Sequence, residues 1–197
     1  MKKTTLFLLS LLLSVTIFAQ QLRDSIDWNT PYYRIVYSEV LQQPKAAYYT
    51  VACPNGTASR AGMDFFTEKG IVTSDNADYV NNEWDKGHMA PAASLNCNKD
   101  MLWETFSYMN SALQQQSLNR GVWKKLEIQE REWAKNAHVE VYIRIEFAPN
   151  PPRVPAGAAI PSGFYKELKV GNQRYCYYFK NVVPTTSDLN QYKCNCR

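Results

Sequence analysis

The segment of residues 139–147 constrains the fold most, because apolar and polar residues alternate along it without a break. The apolar positions are Val139, Val141, Ile143, Ile145 and Phe147, and the residues between them are Glu140, Tyr142, Arg144 and Glu146. A period of two over nine residues predicts a β-strand with one buried and one solvated face. Antiparallel sheets permit a solvated face, whereas parallel sheets bury both. The sequence therefore predicts an antiparallel sheet.

Two hairpins are predicted on either side of this strand. Residues 33–41 and 46–52 are rich in Tyr, Val and Ile, and residues 42–45 between them form the predicted turn. Residues 164–170 and 173–179 form a second hairpin around Gly171-Asn172. Residues 64–70, 75–85 and the proline-rich stretch 149–161 are expected to be irregular.

One long helix is predicted over residues 119–137. The residues Trp123, Leu126, Trp133 and Ala137 recur on one apolar stripe of this segment. Asn119 and Glu127 are eight residues apart, which places them about 80° apart around a helix, so both can line the same side of a site. Helix statistics alone favour a simpler interpretation, in which Asn119 is the N-cap and Glu127 is solvated. An α+β fold follows, with a central antiparallel sheet and packed helices.

The N-terminus predicts export from the cytoplasm. Residues 1–19 combine two lysines, an apolar stretch and a final Ala, which is the pattern of a signal peptide. Residues 20–197 then form one predicted domain, because neither a linker nor a repeat interrupts them. Removing the signal leaves 20 basic and 18 acidic residues, so any field that attracts phosphate must come from local clusters. The candidate cluster is Arg120, Lys124, Lys125 and Arg131.

The five cysteines predict disulfides. In an exported chain, disulfides are the default for Cys53, Cys97, Cys176, Cys194 and Cys196. Cys194 and Cys196 are two residues apart with no His nearby, which fits no common zinc spacing. Cys176 is expected to pair with Cys194 or Cys196, and one thiol is left over because the number is odd.

His88 is the candidate general base. It is one of two histidines and lies between Gly87 and an Ala-rich apolar stretch. A neutral imidazole accepts a proton near physiological pH. A single His of this kind is more often structural, and that interpretation is kept for His138, which opens the strand after the helix.

Three blocks in a fixed order change the interpretation of His88. They are Asp85-Lys86-Gly87-His88, Thr105-Phe106-Ser107-Tyr108-Met109-Asn110 and the ten residues from Leu118 to Glu127, all within about 45 residues. Together they resemble the D-R-G-H, T-F-x-x-x-N and L-N-x-G-x-W-x-x-L-E motifs of the DNA/RNA non-specific endonucleases, the family of secreted bacterial nucleases and of mitochondrial endonuclease G. The likeness extends upstream to residues 64–66 and 77–79 and fades toward the C-terminus.

The resemblance implies a role for each matching residue. It implies His88 as general base, Asn119 as direct ligand of a divalent metal, and Glu127 as the carboxylate that holds metal-bound water. Asn110 would orient or polarise groups beside the site. The implied metal is Mg²⁺, with Mn²⁺ or another divalent cation as the alternative; Mg²⁺ keeps most of its waters, so one protein oxygen is an adequate ligand. The implied fold is a ββα-metal finger, with His88 on a β-hairpin packed against the Asn119 helix.

Two positions depart from the family pattern. Lys86 stands where the motif usually has Arg, and Lys lacks the bidentate fork, so the phosphate contact implied there would be weaker. Leu113-Gln114 stands where Pro-Gln usually follows the middle Asn. Arg60 is the candidate for the arginine that contacts phosphate, on its position upstream of residues 64–66, with an ordinary surface Arg as the equal alternative.

The predicted function is a secreted or periplasmic, metal-dependent endonuclease that hydrolyses DNA and RNA with little sequence preference. No stable membrane association is expected after signal removal. The sequence does not show whether an inhibitor protein is a further partner. Two alternatives stay open: a narrower phosphodiesterase that acts on small nucleotides, and an inactive relative that only binds nucleic acid.

Overall fold

The computed structural model describes residues 21–197, so the predicted signal peptide lies outside the described residues. The described chain is α+β, as predicted, with a six-stranded and a two-stranded sheet. The strands are β1 Ile26–Asn29, β2 Tyr33–Ser38, β3 Gln43–Thr50, β4 Trp84–His88, β5 Ser111–Gln115, β6 Val139–Glu146, β7 Gly163–Val170 and β8 Gln173–Lys180. The α-helices are α1 Lys99–Glu104, α2 Gln116–Leu118 and α3 Lys124–Ala134. Among these residues no helix has the length and apolar character needed to cross a bilayer.

The six-stranded sheet has the order β1-β2-β3-β6-β7-β8, and every neighbouring pair is antiparallel. Its β6 confirms the alternation, since Val141 and Ile143 are buried while Tyr142 and Arg144 are partly exposed. The buried face packs against α3 and the helical turn before it, through fully enclosed side chains such as Leu126 of α3 and Trp123 of the turn. A half-buried strand at the centre of the sheet is the result expected from its sequence pattern.

The first hairpin turns earlier than predicted. Residues 39–42 form the turn, with Gln42 at φ 54°, and β3 already begins at Gln43. Gln43 is drawn into the strand because its buried side-chain oxygen accepts the backbone N–H of Leu113 at 2.9 Å. Pro44 is tolerated there because β6 starts to pair with β3 only at Ala46. The second hairpin is confirmed, with Gly171 at φ 56° in its turn.

The two-stranded sheet and the segment after it form the ββα unit that the resemblance implied. β4 and β5 pair antiparallel with His88 opposite Ser111, and the helical segment follows β5 directly. β5 has no alternation because all five of its residues are buried, which is why no strand was predicted there. Gly87 permits the close pairing, since a Cβ at that position would collide with the side chain of Gln114.

The predicted helix over residues 119–137 is shorter and interrupted. Residues Asn119–Trp123 form a π-helical turn in which Gly121, at φ −101° and ψ −111°, departs from helical geometry. Regular α-helix runs only over Lys124–Ala134, because the chain turns at residues 135–137. π-Helical turns are frequent at functional sites. Asn119 therefore lies in the π-helical turn, whereas Glu127 lies in the regular helix α3.

Two disulfides are present in the structure. Cys176 pairs with Cys196, which confirms the expected partner choice, and Cys53 pairs with Cys97. Cys194 is the free thiol. The Cys53–Cys97 bond closes a 44-residue stretch that includes β4 and His88, so it limits the unfolded freedom of the segment that carries the candidate base.

Candidate active site

A cleft of about 860 Å³ opens where β4 meets the π-helical turn and α3. The side chains that line it include Ser59, Arg60, Met63, Phe65, Lys86, His88, Asn96, Phe106, Asn119, Arg120, Lys124, Glu127 and Arg131. The cleft therefore brings together five of the six residues that the sequence singled out. The sixth, Asn110, does not line it.

His88 lies at the end of β4 between two aromatic rings. The ring of Phe65 packs against the imidazole at 4.9 Å between centroids, and the ring of Phe106 lies nearly perpendicular to the imidazole at 5.1 Å. Within residues 21–197, the Nε2 atom is buried and has no hydrogen-bond partner. Burial lowers the pKa of His88 to about 4, and the positive charge of Arg60 lowers the pKa further. The imidazole is therefore neutral at neutral pH, as a proton acceptor must be.

Asn110 is buried behind His88 and acts on the backbone. Its Oδ1 accepts the N–H of Ala90 at 2.8 Å, and its Nδ2 donates to the carbonyls of Ala90 and Thr105 at 2.9 Å each. Its own carbonyl accepts the N–H of Met89 at 2.9 Å. The side-chain amide is thus used in fixing the two residues that follow His88. This placement fits orientation of the base rather than contact with reacting atoms.

Asn119 is held by Asp85, a residue that the sequence analysis quoted in the motif but gave no role. The Nδ2 of Asn119 donates to Oδ2 of Asp85 at 2.9 Å, which fixes the amide and leaves its Oδ1 free. Arg120 donates to both oxygens of the same carboxylate, at 2.8 and 2.6 Å. Asn119 is not the helix N-cap, because the side chain of Gln115 accepts the N–H of Leu118 and caps the segment earlier. The structure thus rules out the N-cap interpretation.

Glu127 and Arg131 lie one turn apart on α3, and both line the cleft. Burial raises the pKa of Glu127 to about 7, although the nearby Lys166 ammonium opposes this rise and the Glu130 carboxylate adds to it. Arg131 has a buried Nη1 without a hydrogen-bond partner among the described residues. The sequence named Arg131 only as part of a basic cluster; its spacing of four from Glu127 is the signal that places it at the site.

A buried ion pair lies beneath this part of α3. Lys166 of β7 and Glu130 approach to 2.6 Å, and neither side chain is exposed to solvent. The hydroxyl of Tyr49 donates to Glu130 at 2.7 Å, and the Lys166 ammonium lies 4.4 Å from the Trp123 ring centroid. These contacts join α3 to the six-stranded sheet and so help to fix the position of Glu127 relative to the sheet.

The predicted basic cluster is only partly available to a substrate. Arg120 is paired with Asp85, and Lys125 donates to the carbonyl of Ser187 at 2.9 Å outside the cleft. Lys124 and Arg60 line the cleft, and neither makes a side-chain hydrogen bond or ion pair within residues 21–197. Arg60 is exposed at the cleft, and its positive charge acts on His88; its contact with phosphate stays a prediction.

Three further residues that the sequence analysis named have the following surroundings. Lys86 lines the cleft, but its ammonium bonds Asn76 and lies 3.6 Å from Asp64. Gln114 is buried in β5. His138 is exposed and 3.3 Å from Glu140, away from the cleft.

The fold contains a ββα unit whose candidate residues line one cleft, and the comparisons give the family. The model of the DNA/RNA non-specific endonuclease family matches residues 14–196, so the chain belongs to this family. A nuclease of Serratia marcescens is 29% identical over 121 residues, which cover 55% of this chain and 45% of that protein. The mitochondrial nuclease EXOG of Danio rerio is 34% identical over 80 residues, or 39% of this chain and 23% of that protein.

The overall fold is also similar to that of a solved structure. A chain in a crystal structure of the EndoG/EndoGI complex, described as showing the mechanism of EndoG inhibition, has a TM-score of 0.76 and 22% identity. The match covers 87% of this chain and 82% of that one. At this identity the likeness shows the fold alone. The chain spans less than half the length of the curated relatives named above.

Proposed function

We propose that the chain is a metal-dependent endonuclease that hydrolyses phosphodiester bonds of DNA and RNA with little sequence preference. The observation that carries the proposal is the shared cleft, in which His88, Asn119 and Glu127 meet beside the unpaired cation of Arg60. Family membership supports the reaction class.

His88 supplies the base in this proposal. Because Nε2 has no accessible surface, Nδ1 is the ring nitrogen that a water in the cleft can reach. The lowered pKa keeps the ring unprotonated at neutral pH, so Nδ1 can accept the proton of the attacking water. Asn110 holds the backbone after His88 and thereby fixes the direction of the ring.

The residues of the cleft fit a hydrated divalent cation. Asn119 presents a free Oδ1 because its Nδ2 is committed to Asp85, and Glu127 offers a carboxylate on the same side. Among residues 21–197 no three His, Cys, Asp or Glu side chains cluster as a metal cage. Mg²⁺ can be bound by one protein oxygen while it keeps several of its waters, so it does not need a dedicated cage of protein ligands. Such an ion would neutralise phosphate charge and stabilise the leaving oxygen.

Cationic side chains of the cleft position the substrate in this proposal. Arg60, Lys124 and Arg131 line it without a carboxylate partner among the described residues. Contacts of this kind to phosphates carry no sequence information, which agrees with cleavage of DNA and RNA alike. The two disulfides, together with the signal peptide predicted at residues 1–19, support a secreted or periplasmic location.

A digestion assay of the chain without its predicted signal tests the proposal. Plasmid DNA and RNA are incubated with Mg²⁺, with and without a chelator, and small phosphodiesters serve as a parallel substrate. Cutting of both polymers only in the presence of metal is expected. Cutting of small diesters alone would establish the narrower enzyme, and binding without cutting would establish an inactive relative.

Variants test the assigned roles. His88→Ala should abolish cutting, whereas His138→Ala, the matched control at the exposed histidine, should keep it. Asn119→Ala should raise the Mg²⁺ concentration needed for half-maximal activity by at least tenfold. An unchanged metal titration would remove Asn119 as the ligand.

A further inference from the structure

Lys86 departs from the family motif, and its ammonium is enclosed by the protein. Three aromatic rings surround its Nζ, with centroids at 5.1 Å for Phe65, 5.3 Å for Tyr108 and 5.9 Å for Tyr79. These three rings are called the aromatic cage. The ammonium also donates a hydrogen bond to Oδ1 of Asn76, which accepts the Tyr108 hydroxyl as well, at 2.7 Å.

The ammonium of Lys86 also forms an ion pair with a carboxylate. Asp64 lies 3.6 Å from Nζ, and the Lys86 side chain is only 21% exposed. By contrast, Arg120 on the same cleft is 67% exposed. An ammonium with several protein partners must give up some of them before it can contact phosphate, and the cation–π contacts of a partly desolvated cation are favourable.

The cage suits an ammonium better than a guanidinium. Lys presents a compact point charge that three rings can approach from different directions, whereas Arg presents a planar fork that stacks on one face. The Lys found here is therefore the residue that the cage around it requires. This relation gives a physical meaning to the departure from the family motif.

Through the cage, Lys86 fastens one segment of the cleft wall. Phe65 packs against the His88 ring at 4.9 Å between centroids, and Asp64 precedes Phe65 in the chain. Residues 60–65 are called the clamped segment; it begins with Arg60 and is fixed at its far end by backbone hydrogen bonds of Phe66 to Phe106 and Tyr108. Lys86 adds the side-chain attachment that joins this segment to β4.

We propose that Lys86 is a positioning residue that fastens the clamped segment over His88, and that it makes no contact with substrate phosphate. The kinetic part of this proposal rests on the proposed function, whereas the attachment itself does not. This positioning role replaces the phosphate contact that the family motif implied for Lys86.

Hydrogen exchange of the full mature protein tests the attachment without any substrate. Lys86→Met should raise the exchange rate of peptides covering residues 60–65 at least threefold. Lys124→Met, the matched loss of a cleft-lining cation, should leave those peptides unchanged. Asn76→Ala removes an exposed side chain that accepts from both Lys86 and the Tyr108 hydroxyl, and it should give the same direction of change. Unchanged exchange in Asn76→Ala and Lys86→Met would overturn the proposal.

The salt dependence of DNA binding tests the absence of a phosphate contact. Binding of a 20-base-pair duplex is measured in chelator, in an Arg60→Met background so that movement of Arg60 cannot contribute. Adding Lys124→Met should reduce the slope of log K against log salt by about 0.9, the value for one lost phosphate contact. Adding Lys86→Met should leave the slope unchanged. A reduction of about 0.9 for Lys86→Met would overturn the proposal.

Turnover in the same background separates positioning from binding. With Mg²⁺, adding Lys86→Met should lower kcat at least fivefold and leave KM within twofold, because Phe65 is released from His88 but no phosphate contact is lost. A raised KM with unchanged kcat would contradict the positioning role. If the parent protein cuts no substrate, the proposed function fails, and hydrogen exchange still decides the role of Lys86.

Discussion

His88 and Glu127 should contribute to stability with opposite pH dependence, and a single substitution should reveal it. Burial lowers the pKa of His88 from 6.5 to about 4 and raises that of Glu127 from 4.5 to about 7. Both side chains face the same cleft, and both are disfavoured in their charged forms because water is partly excluded there.

The signs follow from proton binding in the folded and unfolded states. His88 binds a proton below pH 6.5 in the unfolded state but stays neutral down to about pH 4 in the folded state. Its contribution to the free energy of unfolding is therefore lost as the pH falls from 6.5 to about 4. Folded Glu127 keeps its proton up to about pH 7 while the unfolded form releases it near 4.5, so its contribution is lost as pH rises. Between pH 4.5 and 6.5 the two effects nearly cancel in the parent protein.

Each shift corresponds to about 3 kcal/mol at 1.36 kcal/mol per pKa unit, and the partial exposure of both side chains reduces this to about 2 kcal/mol. Glu127→Gln removes the ionisable group and keeps the shape. Its free energy of unfolding should match that of the parent at pH 4.5 and exceed it by about 2 kcal/mol at pH 7.5. His88→Asn should match the parent above pH 6.5 and exceed it by about 2 kcal/mol near pH 4.

Urea unfolding at several pH values, in chelator, measures these differences. Glu132→Gln is the matched control, because Glu132 lies on the same helix, is 55% exposed and faces Lys135 in solvent. Its difference from the parent should not vary between pH 4.5 and 7.5. A Glu127→Gln difference that is constant with pH would show that Glu127 has the same pKa in the folded and unfolded states, and the reasoning from burial would be refuted.

Three further predictions concern the framework of the site. Lys166→Met should lower the free energy of unfolding by about 3–5 kcal/mol, because Glu130 is left buried without its cation, and the double replacement with Glu130→Leu should recover most of the loss in urea unfolding. Asn110→Ala should cost about 3 kcal/mol and lower kcat together with stability; a loss of kcat at unchanged stability would instead indicate direct contact with the reacting groups. Replacing Cys53 and Cys97 by Ser should cost about 4 kcal/mol by the loop-entropy relation, and an unchanged thermal midpoint would contradict it.

The sequence predicted those parts of the fold in which local pattern and burial agree. β6 has a clean alternation, and the Gly171 turn has the chemistry that a tight hairpin requires. β5 was missed because burial of all five of its residues leaves no periodicity. The early turn before β3 was missed because it depends on Gln43 reaching the backbone of Leu113, a contact between residues 70 positions apart.

The site shows the same division. Helix spacing predicted that Asn119 and Glu127 can line one side of a site, the resemblance implied His88 beside them, and all three residues line the cleft. The burial of Lys166 and Glu130 could not be predicted, because each looks like a solvated residue in its own segment and only tertiary packing pairs them. The aromatic cage of Lys86 is likewise assembled from three separate segments. Charge partners distant in sequence leave no local signal.

A double-substitution cycle of His88→Ala and Asn119→Ala tests the central claim most directly, through single-turnover cleavage of a DNA duplex in saturating Mg²⁺. Groups that act together in one reaction are not additive when removed. If both serve one reaction in one cleft, each single variant should lose about 10²–10⁴-fold in rate, and the double variant should be no more than about threefold slower than the slower single one. Losses that multiply in the double variant would contradict the account.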